Sequence, residues 1–347
     1  MIIKYVIAII LFSIIILFHE LGHFLLAKIN GIKVNEFSLG LGPTLIGFTK
    51  GETKYSIKLL PFGGACMMEG EDSESDDNRS FQKKSVWARI SVVAAGPIFN
   101  FIMAFIFAVI ILGSLGIQRP VVGSVDSGYA AEAAGLQAGD EIVKLNHKNI
   151  HFFKEVSMYT LFHKGETVTV TYKRNGEKYT AKLQPTYDEE LGRYRYGIAA
   201  QTGYTRLGPV RTLEYSVYEV KYWIQYTLGS LKMLVTRQVS FNDLSGPVGI
   251  VKTIGDAYEM SRADGYFYVF INMLNLAILL SANLGVMNLL PIPALDGGRL
   301  VFLVIEAIRG RRLSEDKEGM VHFIGLMCLF ALMILIMFND VRKIFIA

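Results

Sequence analysis

Charge is scarce in this 347-residue chain. Only 19% of its residues are Asp, Glu, Lys or Arg, against about 25% in an ordinary soluble domain. The net charge of +4 is small and spread out, which excludes the concentrated basic surface of a nucleic-acid binder. Only two cysteines are present, Cys66 and Cys328, too few for a disulfide framework. Cys328 lies in an apolar run and reads as packing. Cys66 sits in a Gly-rich stretch and reads as a small free or buried thiol in preference to a ligand. Hydrophobic residues make up 52% of the chain and are gathered into long runs, as in a membrane protein.

Four runs reach the ~20 apolar residues that a bilayer-spanning helix needs. They lie at about Ile2 to Ile29, Ile90 to Ile117, Tyr266 to Leu290 (without one charge) and Met320 to Phe338. The first has Lys4 and an apolar core, as a signal peptide has. No small-x-small cleavage site follows it, so it reads as a retained helix. Arg309, Arg311, Arg312 and Lys317 follow the third segment, with Arg299 just before them. The excess of Lys and Arg places that loop in the cytoplasm. Alternation then puts residues 30–89 in the cytoplasm and 118–265 outside, with both termini outside. Arg342 and Lys343 near the C-terminus pull the other way.

One apolar run carries chemistry. His19-Glu20-Leu21-Gly22-His23 puts two imidazoles at i and i+4 on one helix face. That spacing suits two zinc ligands, with Glu20 as a candidate general base. Ionisable groups at membrane depth are costly and mark function. Zinc chemistry with apolar flanks points to a protease working inside the bilayer.

A catalytic zinc site takes three protein ligands and keeps one position open. Asp296, in Asn288-Leu289-Leu290-Pro291-Ile292-Pro293-Ala294-Leu295-Asp296-Gly297-Gly298, is the strongest candidate for the third. Two prolines so close should unwind a helix, and irregular backbone at membrane depth is tolerated where it lines a wet cavity. On spacing alone, a helix-capping role for Asp296 is an equal alternative. Glu306 is the other downstream acid in an apolar run.

Outside the membrane, Thr167 to Tyr172 alternates as a strand does. Asn175-Gly176 is a hairpin turn, and Lys178 to Leu183 the return strand. Ala130 to Val143 reads as a short helix, a Gly-Asp turn and a strand. This string resembles the Ala-x-x-Ala-Gly-Leu-x-x-Gly-Asp-x-Ile segment of bacterial PDZ domains, which bind extended peptides by strand addition. His147, His151 and His163 lack ligand spacing and read as surface residues. Leu213, Val217, Val220, Ile224, Leu228, Leu231 and Val235 recur on one helix face. That helix either lies on the outer membrane surface or packs on protein.

Taken together, these motifs resemble the site-2 protease family of intramembrane zinc metalloproteases. The nearest branch is the bacterial one related to the regulator-of-sigma-E protease, here with a single PDZ domain. Leu295-Asp296-Gly297, added to His19-Glu20-x-x-His23, carries most of the resemblance. It implies Zn2+ as cofactor, His19, His23 and Asp296 as metal ligands, and Glu20 as the catalytic glutamate. It further implies substrate handling by Asn288, Pro291 and Pro293. Gly40-Leu41-Gly42-Pro43 and Pro61-Phe62-Gly63-Gly64 resemble a cytoplasmic β-hairpin near the active site, with Gly63 and Gly64 implied in substrate binding. Ala65-Cys66-Met67-Met68 departs from the pattern after the glycine pair. Ser245-Gly246-Pro247-Val248-Gly249-Ile250 also matches, without a role that the residues disclose.

The expected architecture is an α-helical polytopic membrane protein of the bacterial inner membrane. Its helix 1 covers 1–29, a cytoplasmic membrane-associated β loop 30–89, and helix 2 90–117. A PDZ-like α+β domain takes 118–190 and an amphipathic juxtamembrane region 191–265. Segment 3 covers 266–308, a cytoplasmic loop 309–319 and helix 4 320–338. The resemblance implies single-pass membrane proteins, such as anti-sigma factors, or signal-peptide remnants as substrates, and a peptide ligand for the PDZ-like domain. The alternative reading is a non-catalytic PDZ-bearing scaffold with a structural metal site.

Overall fold

The computed structural model describes residues 2–71, 75–240, 245–312 and 315–346. The other positions of the expected 30–89 loop, 191–265 region and 309–319 loop lie outside the described residues. Two compact units divide the chain: Met1–Phe107 with Ser240–Ala347, and Ala108–Val239.

Among the described residues, four helices are long and apolar enough to cross a membrane: Ile3–Ile29, Val86–Leu115, Tyr266–Asn288 and Glu318–Lys343. In the first unit, α1 (Ile2–Ile29) packs Ala8, Leu11 and Ile15 against Met103 of α2 (Val86–Leu115). Ile254 of α6 (Pro247–Arg262) and Ala277 of α7 (Tyr266–Asn288) complete that core. Small residues set the separations, as expected of helices packed in lipid. A Cβ on Gly22 of α1 would lie 2.4 Å from the Ala95 carbonyl oxygen of α2, and one on Gly285 of α7 would lie 2.8 Å from the Phe101 ring.

Between α1 and α2 run β1 (Val34–Lys50) and β2 (Thr53–Met68), a long antiparallel hairpin. Both strands bend where glycines adopt positive φ: 90° at Gly40 and Gly42, 84° at Gly63. Residues 36–39 are therefore paired twice, with 54–57 on one edge and 64–67 on the other. Two strands thus give a small sheet in the order 46–50, 53–57, 36–39, 64–67, whose last segment lies against α1.

The expected segment 266–308 is two helices. The helix stops at Asn288, and α8 (Asp296–Arg309) begins after an irregular stretch. Pro291 and Pro293 lack the N–H groups to continue the ladder. At 14 residues, α8 is shorter than the ~20 residues of a span.

The last helix, α9 (Glu315–Ile346), exposes Phe323, Ile324, Phe330, Leu335 and Phe338, an apolar surface suited to lipid. It is tied down near one end by Asp340, which is 2% exposed. Its carboxylate accepts the N–H groups of Gly246 (3.0 Å) and Gly249 (2.8 Å). The Ser-Gly-Pro-Val-Gly-Ile string thereby acquires a role: it starts α6, and its first backbone donors are satisfied from another helix. A Cβ at Gly246 would lie 2.6 Å from Ile336.

The second unit holds a four-stranded antiparallel sheet in the order β5-β4-β6-β7, from Lys148–Asn149, Glu141–Leu145, Val168–Arg174 and Glu177–Leu183. Asn175 (φ 53°) and Gly176 (φ 88°) form its two-residue hairpin turn, as the type I′ geometry demands. α3 (Ala130–Ala133) and α4 (Lys154–Phe162) cover a core containing Ala131, Leu136, Ile142, Leu145, Val156, Val168, Val170 and Leu183. The sequence closes this domain near residue 190. The fold continues through β8 (Thr186–Asp188), β9 (Arg193–Arg195) and β10 (Ile198–Ala200), and β10 pairs with β3 (Val122–Val125). A strand whose partner lies some seventy residues earlier leaves little local signal.

α5 (Pro209–Val235) does not turn its apolar stripe onto protein. Of its apolar stripe only Val220 is buried, while Leu213, Val217, Leu228 and Val235 are exposed. The buried face is polar and aromatic: Thr212, Ser216, Glu219 and Tyr222. Trp223 Nε1 donates to Glu219 at 3.0 Å, Lys154 pairs with Glu219, and Tyr218 stacks on His151 at 3.7 Å. Directional contacts fix this face, which a hydrophobic periodicity does not register.

Replacing Asp340 with Ala leaves two backbone donors unmet at the start of α6, the buried one of Gly246 and the half-buried one of Gly249. The expected cost is about 1–2 kcal/mol. Thermal unfolding of the full chain in detergent should show a lowered midpoint; an unchanged midpoint contradicts the capping role.

Candidate active site

α1 stacks His19 and His23 one turn apart on the face that meets α2, and both are 8% exposed. Three α2 residues at four-residue intervals receive them. His23 Nδ1 donates to the Val92 carbonyl oxygen at 2.9 Å. Gly96 leaves room for the rings: a Cβ there would lie 2.2 Å from His23 Nε2 and 2.8 Å from His19 Cε1. The Asn100 amide lies 3.1 Å from His19 Nδ1.

Asp296 comes from the other side. The irregular stretch after Asn288 turns through Ala294 (φ 75°), whose N–H donates to His322 Nδ1 at 2.9 Å. Gly297 and Gly298 let the new helix start close behind this turn. A Cβ on Gly297 would lie 2.2 Å from the Leu290 carbonyl oxygen, and one on Gly298 2.4 Å from that of Ile292. Asp296 is the first residue of α8, and the N-cap residue Leu295 makes no side-chain capping bond. The Asp296 Oδ2 instead lies 3.2 Å from His19 Nε2 and 3.5 Å from His23 Nε2.

The three facing atoms, two Nε2 and one Oδ2, fit a metal ion. With Nδ1–H of His23 given to Val92, its Nε2 presents a lone pair. Asp296 Oδ2 is buried and has no hydrogen-bond donor among the described residues. Lone pairs turned on one another repel unless a cation or a shared proton lies between them, and three of them converging on one point suit a metal ion. The separations agree: 3.3 Å between the nitrogens and 3.2 and 3.5 Å to the oxygen. Ligands at ~2.0–2.1 Å on a tetrahedral zinc ion lie about 3.3 Å apart. This is the only such group of three or more potential ligands among the described residues.

Glu20 faces the β2 side of this cluster. A Cβ on Gly64 would lie 2.9 Å from its Cγ. Glu20, both histidines and Asp296 line one cavity of about 410 Å³ with Asn35, Ala65, Cys66 and Arg299. A second cavity of about 580 Å³ reaches Asp296 and Arg299 from the side of Arg89, Glu306 and Arg312. The Arg299–Glu71 ion pair belongs to both.

Other expected residues are placed as follows. Asn288 ends α7, and Pro291 and Pro293 lie in the irregular stretch. Pro293 packs on α9 at Gly325. Gly63 bends β2 against Leu41. Glu306 is no competitor for the metal: Arg89 Nη1 donates to its Oε2 at 3.0 Å. Cys66 is buried and lies outside the three-residue cluster. The α2 residues Val92, Gly96 and Asn100 escaped the sequence reading. Their one signal was Asn100, the only side-chain amide in the 90–117 run.

A family model, Peptidase family M50, matches residues 7–332. A Clostridium acetobutylicum protein bearing a provisional zinc metalloprotease name is 41% identical over 336 residues, covering 97% of this chain and 96% of its own length. The zinc metalloprotease RasP of Bacillus licheniformis is 34% identical, covering 97% and 98%. The regulator of sigma-W protease RasP of Bacillus subtilis is 31% identical with the same coverage. A solved PDZ domain of the SdrC-like protein from Listeria monocytogenes aligns at 28% identity and a TM-score of 0.21, over 24% of this chain and 87% of its own. By sequence match along almost its whole length, the chain belongs to peptidase family M50.

Proposed function

We propose that this M50 peptidase hydrolyses peptide bonds of membrane-spanning segments, with zinc held by His19, His23 and Asp296 and with Glu20 as general base. The observation that carries the reading is the trio of bare, buried ligand atoms at tetrahedral spacing, facing a cavity that also holds Glu20. A structural zinc site is closed by four protein ligands. Three ligands beside a cavity favour catalysis over the scaffold reading.

Bound zinc supplies Lewis acidity, which acidifies water and polarises a carbonyl. The chain's own residues do the rest. The Glu20 carboxylate takes the proton of the attacking water and returns it to the leaving amine nitrogen. Val92 and Gly96 hold His23 and the space around it. Substrate must first become extended, because a spanning helix keeps its peptide groups satisfied internally. The segment 64–67 suits that step. It is paired on one side with 36–39, and residues 65–68 line the cavity beside Glu20. A substrate strand added there would bring its backbone to the ion. Asn288, Pro291 and Pro293, together with Gly63 and Gly64, then belong to the substrate path.

Exposed Leu45, Ile46, Phe48, Leu59 and Leu60 suit a hairpin dipping into lipid. Arg89, Arg299 and Arg312 line a cavity that reaches Asp296. By the positive-inside tendency, this supports water entry from the cytoplasm and extracytoplasmic termini. Residues 118–190, extended through Ala200, then form a PDZ-like domain outside, open to a peptide ligand. Single-pass membrane proteins, anti-sigma factors among them, and signal-peptide remnants are the substrate class. The Bacillus subtilis relative's name, regulator of sigma-W protease, supports it.

Glu20→Gln should retain zinc and lose about 10²–10⁴-fold in cleavage. The assay is co-expression with a panel of tagged single-pass substrates, with metal content measured on the purified chain. Cleavage at the wild-type rate for the whole panel contradicts the proposal. Gly96→Ala should lose zinc as well as cleavage, because its methyl group would occupy the space at His23 Nε2. Full zinc content in that variant contradicts the ligand assignment.

A further inference from the structure

We propose that Asn100 is a positioning residue for the metal: its side-chain oxygen accepts the Nδ1–H of His19 and so keeps His19 Nε2 bare. The inference rests on the ligand assignment proposed above and concerns how one ligand is held. Asn100 is 0% exposed, and one end of its amide lies 3.1 Å from His19 Nδ1. The two ends of an amide have the same shape, so their identity follows from the hydrogen-bond network. The nitrogen turned to His19 would need an unprotonated Nδ1. The ring's proton would then sit on Nε2, pointing at His23 Nε2 and Asp296 Oδ2, and His19 could not bind a metal. In that orientation the amide oxygen also has no donor among the described residues. With the oxygen turned to His19, the ring takes the tautomer that Val92 imposes on His23.

The amide is also well anchored. The Asn100 backbone carbonyl accepts the hydroxyl of Ser281, itself 0% exposed, at 2.8 Å. That bond joins α2 to α7 at the depth of the site. Val92, Gly96 and Asn100 then form one face of α2 with three tasks: one acceptor for each histidine and a gap between them. Partners of this kind fix the tautomer and orientation of a ligating histidine, and their loss typically costs ~10–100-fold in metal affinity.

The test uses the full chain in detergent, with zinc affinity measured by chelator competition and the apo protein's melting temperature alongside. Asn100→Leu should bind zinc about 10–100-fold more weakly. Asn100→Asp, which keeps an acceptor, should stay within about threefold of wild type on the same scale. His19→Ala is the reference. Wild-type affinity in Asn100→Leu while His19→Ala has lost zinc overturns this inference alone. Equal zinc binding by wild type and His19→Ala overturns the ligand assignment and this inference with it. Asn100→Asp as weak as Asn100→Leu also overturns it, because the acceptor is then immaterial. A second measurement needs no variant at Asn100. In the cadmium-loaded wild type with ¹⁵N-labelled histidine, His19 should show a proton on Nδ1 and coupling of Nε2 to the metal. A proton-free Nδ1 overturns the proposal.

Discussion

The close approach of α1 to α2 is the constraint on which the site depends. Gly22 brings the α1 backbone against the Ala95 carbonyl, and Gly96 opens the matching space for two imidazoles. A larger residue at either place would part the helices. The His23–Val92 bond and the contact between His19 and Asn100 would part with them. Helix association in lipid gains little from hydrophobicity, so small residues and interhelical hydrogen bonds do most of the work. Here the same contact that packs the helices also selects a ring tautomer.

Asp296 depends on a second device, the break between α7 and α8. Two prolines end one helix, and two glycines allow the next to begin within contact distance of the first one's end. Unsatisfied backbone at that depth is costly unless protein or water meets it. The Ala294 N–H finds His322 of α9, and Pro293 packs beside Gly325. α9 therefore supports the turn before Asp296 from behind, while Asp340 fastens its other end to α6.

Much of this was legible in the residues because it is local. The i, i+4 histidines, the Pro-rich break before Asp296, and the Asn175-Gly176 turn each declare themselves within a few positions. What escaped was non-local or directional. β10 completes the domain only through pairing with β3. The strands β1 and β2 are paired twice because Gly40, Gly42 and Gly63 bend them, and nothing in the alternation announces the fold-back. The buried face of α5 is chosen by Glu219, Tyr218 and Tyr222, through directional contacts that hydrophobic periodicity does not register. Asn100 looked like an isolated polar residue in an apolar run until α1 was set beside it. Asp296, an even choice between ligand and cap on spacing, turned its carboxylate to the histidines and left the cap unmade.

In the proposed metal centre two short stretches some 270 residues apart meet, with α2 as the template between them. The cavity beside the three side chains is lined by Glu20 and by residues 65–68 of β2. The central claim is the donor set: two imidazoles and one carboxylate, with Cys66 close by but not coordinating. X-ray absorption at the zinc edge of the purified full chain tests it most directly. The expected spectrum has a nitrogen and oxygen shell at about 2.0–2.2 Å with the outer-shell pattern of two imidazoles. A sulfur shell at about 2.3 Å, or the absence of imidazole scattering, would contradict it.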